Sequence, residues 1–113
     1  MRVETKLNLP RLLGLFELDE NGKVLYSSFQ SAEGPMRRQS DLDGVDFFRE
    51  IASFTNVGEF QNRFEFFRLA EARSSSFNFT CQYPDGEHLV KIVMARLMTE
   101  TGPTSFLVHF RKP

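Results

Sequence analysis

This chain has a single cysteine, no tryptophan and no surplus of charge of either sign. Cys81 alone can form neither an intramolecular disulfide nor a thiolate cluster for a metal, so stability has to come from a packed core. That usage suits a reducing compartment, and a cytoplasmic protein is expected. No run approaches the ~20 apolar residues of a membrane span, and the amino terminus lacks the apolar stretch of about 7–15 residues that marks a signal peptide. Export and membrane insertion are not expected. Fourteen basic side chains against 15 acidic ones leave a net charge of −1, too little to draw in nucleic acid or an anionic membrane surface. Arg37-Arg38 is too short to serve as a basic arm. Catalytic signatures are missing as well. There is no nucleophile elbow, phosphate-binding glycine loop, dinucleotide glycine pattern or zinc-protease helix, and no enzyme is expected.

What the chain has is phenylalanine, 13 in 113 residues, enough for one core in one domain. Each ring contributes about 1.5–3 kcal/mol when fully buried, and aromatic rings without Trp favour a dry interior. The pattern along the chain opens with an apolar run that breaks at Asp19-Glu20-Asn21-Gly22-Lys23 and resumes at Val24, which reads as a hairpin of strands 13–19 and 23–27. Asn21-Gly22 is expected to supply the positive backbone angles of a tight reversal. Residues 28–43, with Gly34-Pro35, read as loop and short turns. Phe47, Phe48 and Ile51 indicate a helix of one or two turns. Asn56 with Glu59 makes a capping-box pattern, and Phe60, Phe64 and Phe67 recur at helical spacing, so a helix over 57–73 is expected with this stripe in the core.

Beyond Ser74-Ser75-Ser76 the period becomes 2. Phe77, Phe79, Cys81 and Tyr83 share one strand face, and the turn Pro84-Asp85-Gly86-Glu87 leads into a strand over 88–98 that is apolar on both faces. A last strand, 105–111, puts Phe106, Val108 and Phe110 together. The order of elements gives an α+β domain: a five-stranded antiparallel sheet with helices packed over one face, spanning 13–113, preceded by residues 1–12 as an amino-terminal arm or partial cap.

Gly44, Phe47-Phe48, Ala52, Thr55, Glu59-Phe60 and Phe64 recur at the spacing found in the photoactive yellow proteins, and this stretch closely resembles that family of PAS-fold photoreceptors. From Gly14 to Met98 the chain can be laid against the family without a gap. The resemblance implies the PAS fold, with a small cavity between sheet and helices, and a role in signal transduction. It also implies what is missing. Phe54 stands where that family has the cysteine that carries a thioester-linked hydroxycinnamoyl chromophore, and a phenyl ring cannot form that bond. Ser27 and Ser31 stand where it has the tyrosine and glutamic acid that hydrogen-bond the chromophore. Of that set only Arg37, at the arginine-gate position, is kept. A covalent hydroxycinnamate is therefore not expected, while haem or another small ligand stays open.

Candidate pocket residues are Ser27, Ser31, Arg37, Phe54, Phe60, Phe64, Phe79, Cys81 and Tyr83, with Arg37 suited to a carboxylate. Cys81 has no neighbouring cation to activate a thiolate and reads as a small buried hydrophobe. His109 points with Leu107 and Arg111, away from the core residues, and is ill placed for haem. Leu15, Val93, Ala95, Leu97 and Leu107 share the outer face and are candidate interface residues, since monomers rarely leave such a patch bare. The expected function is a non-catalytic PAS sensory and interaction module acting through a homodimer and a signalling partner or separate effector domain, its cavity filled by Phe54 and Phe79. The alternative is a sensor that binds a metabolite non-covalently in an apolar pocket.

Overall fold

A computed structural model describes residues 13–29, 42–98, 100 and 102–113. The expected arm over 1–12 and most of the expected loop over 28–43 lie outside them. Five strands form one antiparallel sheet: β1 (Gly14–Leu18), β2 (Val24–Phe29), β3 (Ser74–Tyr83), β4 (Gly86–Leu97) and β5 (Ser105–Arg111), in the spatial order β2-β1-β5-β4-β3. Among the described residues a π turn, Phe47–Ile51, and a helix, α1 (Val57–Ala70), pack on the face that carries Phe16, Phe79, Phe106 and Phe110. This is the expected α+β arrangement. No described helix is long and apolar enough to cross a membrane.

The first reversal is wider than its sequence suggests. Gly22 N–H donates to the Asp19 carbonyl at 3.0 Å, Asp19 N–H donates to the Lys23 carbonyl at 2.9 Å, and the Asp19 carboxylate accepts from Asn21 and Lys23 N–H. Of the expected pair, only Gly22 takes a positive φ, +84°, and a bulge between Glu17 and Leu18 absorbs the extra residue. Glycine is needed there for a second reason: a Cβ would come within 2.9 Å of the Phe48 ring. The Gly22 carbonyl accepts from Phe47 N–H at 2.9 Å, so the hairpin tip holds the start of the π turn. Asp46 caps that turn, its carboxylate accepting from Phe48 and Arg49 N–H. The wide i→i+5 bond from Ala52 N–H to the Phe47 carbonyl closes it, with Phe47, Phe48 and Ile51 all buried.

Helix α1 buries Phe60, Phe64 and Phe67, the expected stripe, but both its ends depart from expectation. The capping box is absent. Asn56 makes no side-chain cap; its amide instead donates to the Thr80 carbonyl at 2.9 Å and accepts from Gln82 N–H at 3.0 Å, so strand β3 outcompetes the helix for this side chain. At the other end the helix stops at Ala70, three residues before the expected 73, because Glu71 turns into the left-handed region at φ 63°. Strand β3 then begins at Ser74, earlier than the serine run suggests.

Arg96 explains why the helix stops there. It continues the Val90, Ile92, Met94 alternation onto the inner face and reaches under the end of α1. Its Nη2 donates to the Phe67 and Arg68 carbonyls at 2.9 and 3.1 Å, and its Nε donates to Ala72 O at 2.9 Å. The guanidinium also lies 5.4 Å from the Phe67 ring and 5.2 Å from the Phe106 ring. A cation here satisfies carbonyls that a helix terminus leaves unpaired and complements the helix dipole. Arg96→Ala is expected to lower stability to urea by about 3 kcal/mol, with Arg96→Lys recovering less than half of it, since one ammonium cannot reach all three carbonyls. Glu71→Gly is expected to raise stability by about 0.5–1 kcal/mol in the same measurement, by relieving the left-handed backbone.

Candidate functional site

The residues on either side of position 54 are fixed first. Thr55 N–H donates to the Gln82 carbonyl at 2.6 Å and Thr55 Oγ1 donates to the same oxygen at 3.0 Å, so the chain leaving the π turn is bound to strand β3 before α1 begins. This anchors Phe54 over the sheet. Its side chain is 1% exposed, with ring centroids 5.9 Å from Phe79, 6.0 Å from Tyr83 and 6.3 Å from Phe110. Phe60 joins Phe79 at 6.1 Å and Phe110 at 5.4 Å, and Phe64 joins Phe48 and Phe106 at 5.3 Å each. These residues stand in contact as a ring-on-ring core.

Ser27 lies opposite Phe16 on β2, on the inner face, and is buried; Tyr26 beside it points out and is half exposed. Ser31 and Arg37 lie outside the described residues. Cys81 and Tyr83 follow Phe79 along β3, Cys81 buried and Tyr83 half-buried, its ring and that of Phe54 in a T-shaped pair. Burial pushes the Cys81 thiol up to about 12, partly opposed by a hydrogen bond with Tyr83. A thiol held protonated in this way is neither a nucleophile nor a metal ligand at neutral pH.

One polar residue of this end is placed differently from expectation: from its position just past a turn, His88 reads as a surface or interface histidine. His88 pairs with Cys81 across β3 and β4, and it shares the inner face with Val90, Ile92 and Met94. Its ring centroid is 5.3 Å from Tyr83, and its Nε2 is buried with no hydrogen-bond partner among the described residues. Counting back by twos from Met94 reaches His88, so the β4 alternation carries the signal even though the residue directly follows a turn. His109 pairs with Leu15 and Val93, on the opposite face from the rings. Among the described residues no group of three or more His, Cys, Asp or Glu side chains comes together to hold a metal ion.

On that opposite face, the register aligns Leu15 with His109 and Val93, Leu107 with Ala95, and Leu97 with Ser105. Leu15, Val93, Ala95, Leu97 and Leu107 are each half-buried.

The Cys81 thiol gives the stability a defined alkaline limb. It stays protonated in the fold and ionises at 9.0 in the unfolded chain, so its contribution is complete below pH 9.0 and is lost as pH rises toward about 12. Over that window the stability to urea is expected to fall by about 1.4 kcal/mol per pH unit more steeply than that of Cys81→Ala.

No family model matches the chain. It is 32% identical over 88 residues to the photoactive yellow protein of Rhodothalassium salexigens, an alignment that covers 76% of this chain and 69% of that protein. Among solved structures, the photoactive yellow protein domain from the sensor histidine kinase Ppr of Rhodospirillum centenum matches with a TM-score of 0.64 at 23% identity, covering 93% of this chain and 88% of that one. The second match shows the shared PAS-type fold. The first, at its identity and its share of both chains, makes this chain a member of the photoactive yellow protein family.

Proposed function

We propose that this chain is a non-catalytic PAS sensory and interaction module of signal transduction, whose interior is occupied by its own Phe54 in place of a covalently held hydroxycinnamoyl group. One observation carries this reading. Phe54, the residue at the family's attachment position, is 1% exposed and touches three other rings, so it serves as a core plug where relatives would keep a ligand. A module without its own chemistry acts through contacts. The aligned row of Leu15, Val93, Ala95, Leu97 and Leu107 supports a homodimer through the outer sheet face, and an effector on a partner or on a separate domain would carry the output.

A second reading is favoured by His88. A buried imidazole nitrogen with no partner among the described residues, beside Tyr83 and Cys81, suits a small apolar molecule that brings a hydrogen-bonding group to that end of the core. Such a ligand would be held non-covalently, because the thiol beside it is protonated.

Native mass spectrometry of the purified protein separates the two. Two chains with no added mass support the filled-core dimer; a reproducible added mass that is lost on denaturation favours the sensor. A monomer persisting at high concentration removes the dimer from the proposal. Phe54→Ala is expected to cost about 3–5 kcal/mol in urea unfolding if the ring fills the interior, and unchanged stability would refute the plug.

A further inference from the structure

We infer that the open half of the β3 edge, together with the groove between it and α1, is a docking site for an extended acidic peptide segment that adds as a sixth strand. The argument begins with the edge. In the β3–β4 register, Arg96 N–H bonds to the Arg73 carbonyl, so Arg73, Ser75, Phe77 and each second residue thereafter bond to β4. The alternate residues turn their N–H and C=O groups away from the sheet. At one end these outward groups are taken: Thr80 O and Gln82 N–H by the Asn56 side chain, and Gln82 O by Thr55. At the other end, the outward groups of Ser74, Ser76 and Asn78 have no partner among the described residues. Strand β3 contains no charged residue and no proline, the devices that normally protect an exposed edge from strand addition.

The groove adds side-chain recognition to that backbone template. Beside Ser74 and Ser75 lies a depression of about 400 Å³ walled by Phe66, Phe67, Ala70, Phe77 and Met94. Phe66 is 75% exposed among the described residues, a large apolar ring open to a partner. A strand laid along Ser74–Asn78 directs alternate side chains toward this depression, the mode in which extended peptides add to a sheet edge. Charge selects the peptide. Among the described residues Arg63 is the one ionisable residue lining the groove; it lies 4.3 Å over the Phe77 ring and pairs there with no carboxylate. The exposed Arg73 precedes the strand. A segment with an apolar residue for the groove and an Asp or Glu for Arg63 meets both demands. The chain's own first 12 residues, with Arg2, Lys6 and Arg11 against Glu4, match a basic rim poorly.

This site stands on the sheet edge and goes beyond the filled-core reading; failure of one leaves the other standing. The test selects a displayed library of random decapeptides against the whole chain, then follows enriched peptides by amide chemical shifts. Enriched sequences are expected to alternate apolar and polar residues and to carry an acidic one. Their binding is expected to move the amides of Ser74, Ser76 and Asn78, and to weaken by about tenfold in Arg63→Ala. N-methylation of the peptide on alternate residues is expected to abolish binding, a control independent of any variant's folding. Absence of enrichment overturns the proposal, as does enrichment without acidic bias. So do shifts of the same amides with protein concentration alone, which would give the edge to a second copy. Decanoate filling the groove without moving the edge amides, in the absence of peptide binding, would give it to a small amphipathic carboxylate.

Discussion

Rings from every part of the chain have to share one volume between sheet and helix. Phe47 is the centre of that constraint, lying 4.9 Å from Phe16, 5.5 Å from Phe48, 6.3 Å from Phe60 and 5.9 Å from Phe110. Most of these pairs are tilted or edge-on, the arrangement that puts ring edges against ring faces and adds roughly 0.5–1.5 kcal/mol per pair beyond burial. The local oddities follow from it. A π turn admits Phe47, Phe48 and Ile51 to the same interior, and the hairpin tip must be glycine because the Phe48 ring lies against it. A core of interlocked rings responds poorly to removal of any member, since the neighbours cannot close the gap without leaving their own contacts.

The fold was legible in the sequence wherever periodicity meets burial. Phe60, Phe64 and Phe67, and the alternations on β3 and β5, specify which side faces inward, whereas β4 is apolar on both faces; short antiparallel connections account for the neighbours β1–β2, β3–β4 and β4–β5 but not for the β1–β5 pairing that joins them. Illegible were choices between partners. Asn56 could cap α1 or pair with β3, and a local sequence rule sees only the first, because Thr80 and Gln82 are more than twenty positions away. Arg96 looks like an ordinary strand residue until the end of α1 lies above it. At the candidate site, Phe79 and Cys81 could be assigned to the interior by alternation and Phe54 by its place in the family resemblance, whereas His88 needed the register across a hairpin to be seen as their neighbour.

The two edges of the sheet are finished differently. The first residues of β2 are covered by the segment before the π turn, with Val24 N–H donating to the Val45 carbonyl at 2.9 Å and Gly44 N–H to the Val24 carbonyl at 2.7 Å. On β3, Thr55 and Asn56 cover one end, and the serine-rich end has no backbone partner on that side among the described residues. The segments that cover part of each edge flank the π turn, so the same piece of chain that seats Phe47 and Phe48 also holds one end of each outer strand.

That economy has a mechanical corollary. Phe54 reports on what fills the interior, and the next two residues clasp the margin of the sheet at Thr80 and Gln82. A ring displaced at position 54 has to drag its own peptide linkage, and the clasp is the first thing that linkage meets. The distance between the inside of this molecule and its rim is therefore a single residue, with no relay of intervening side chains required.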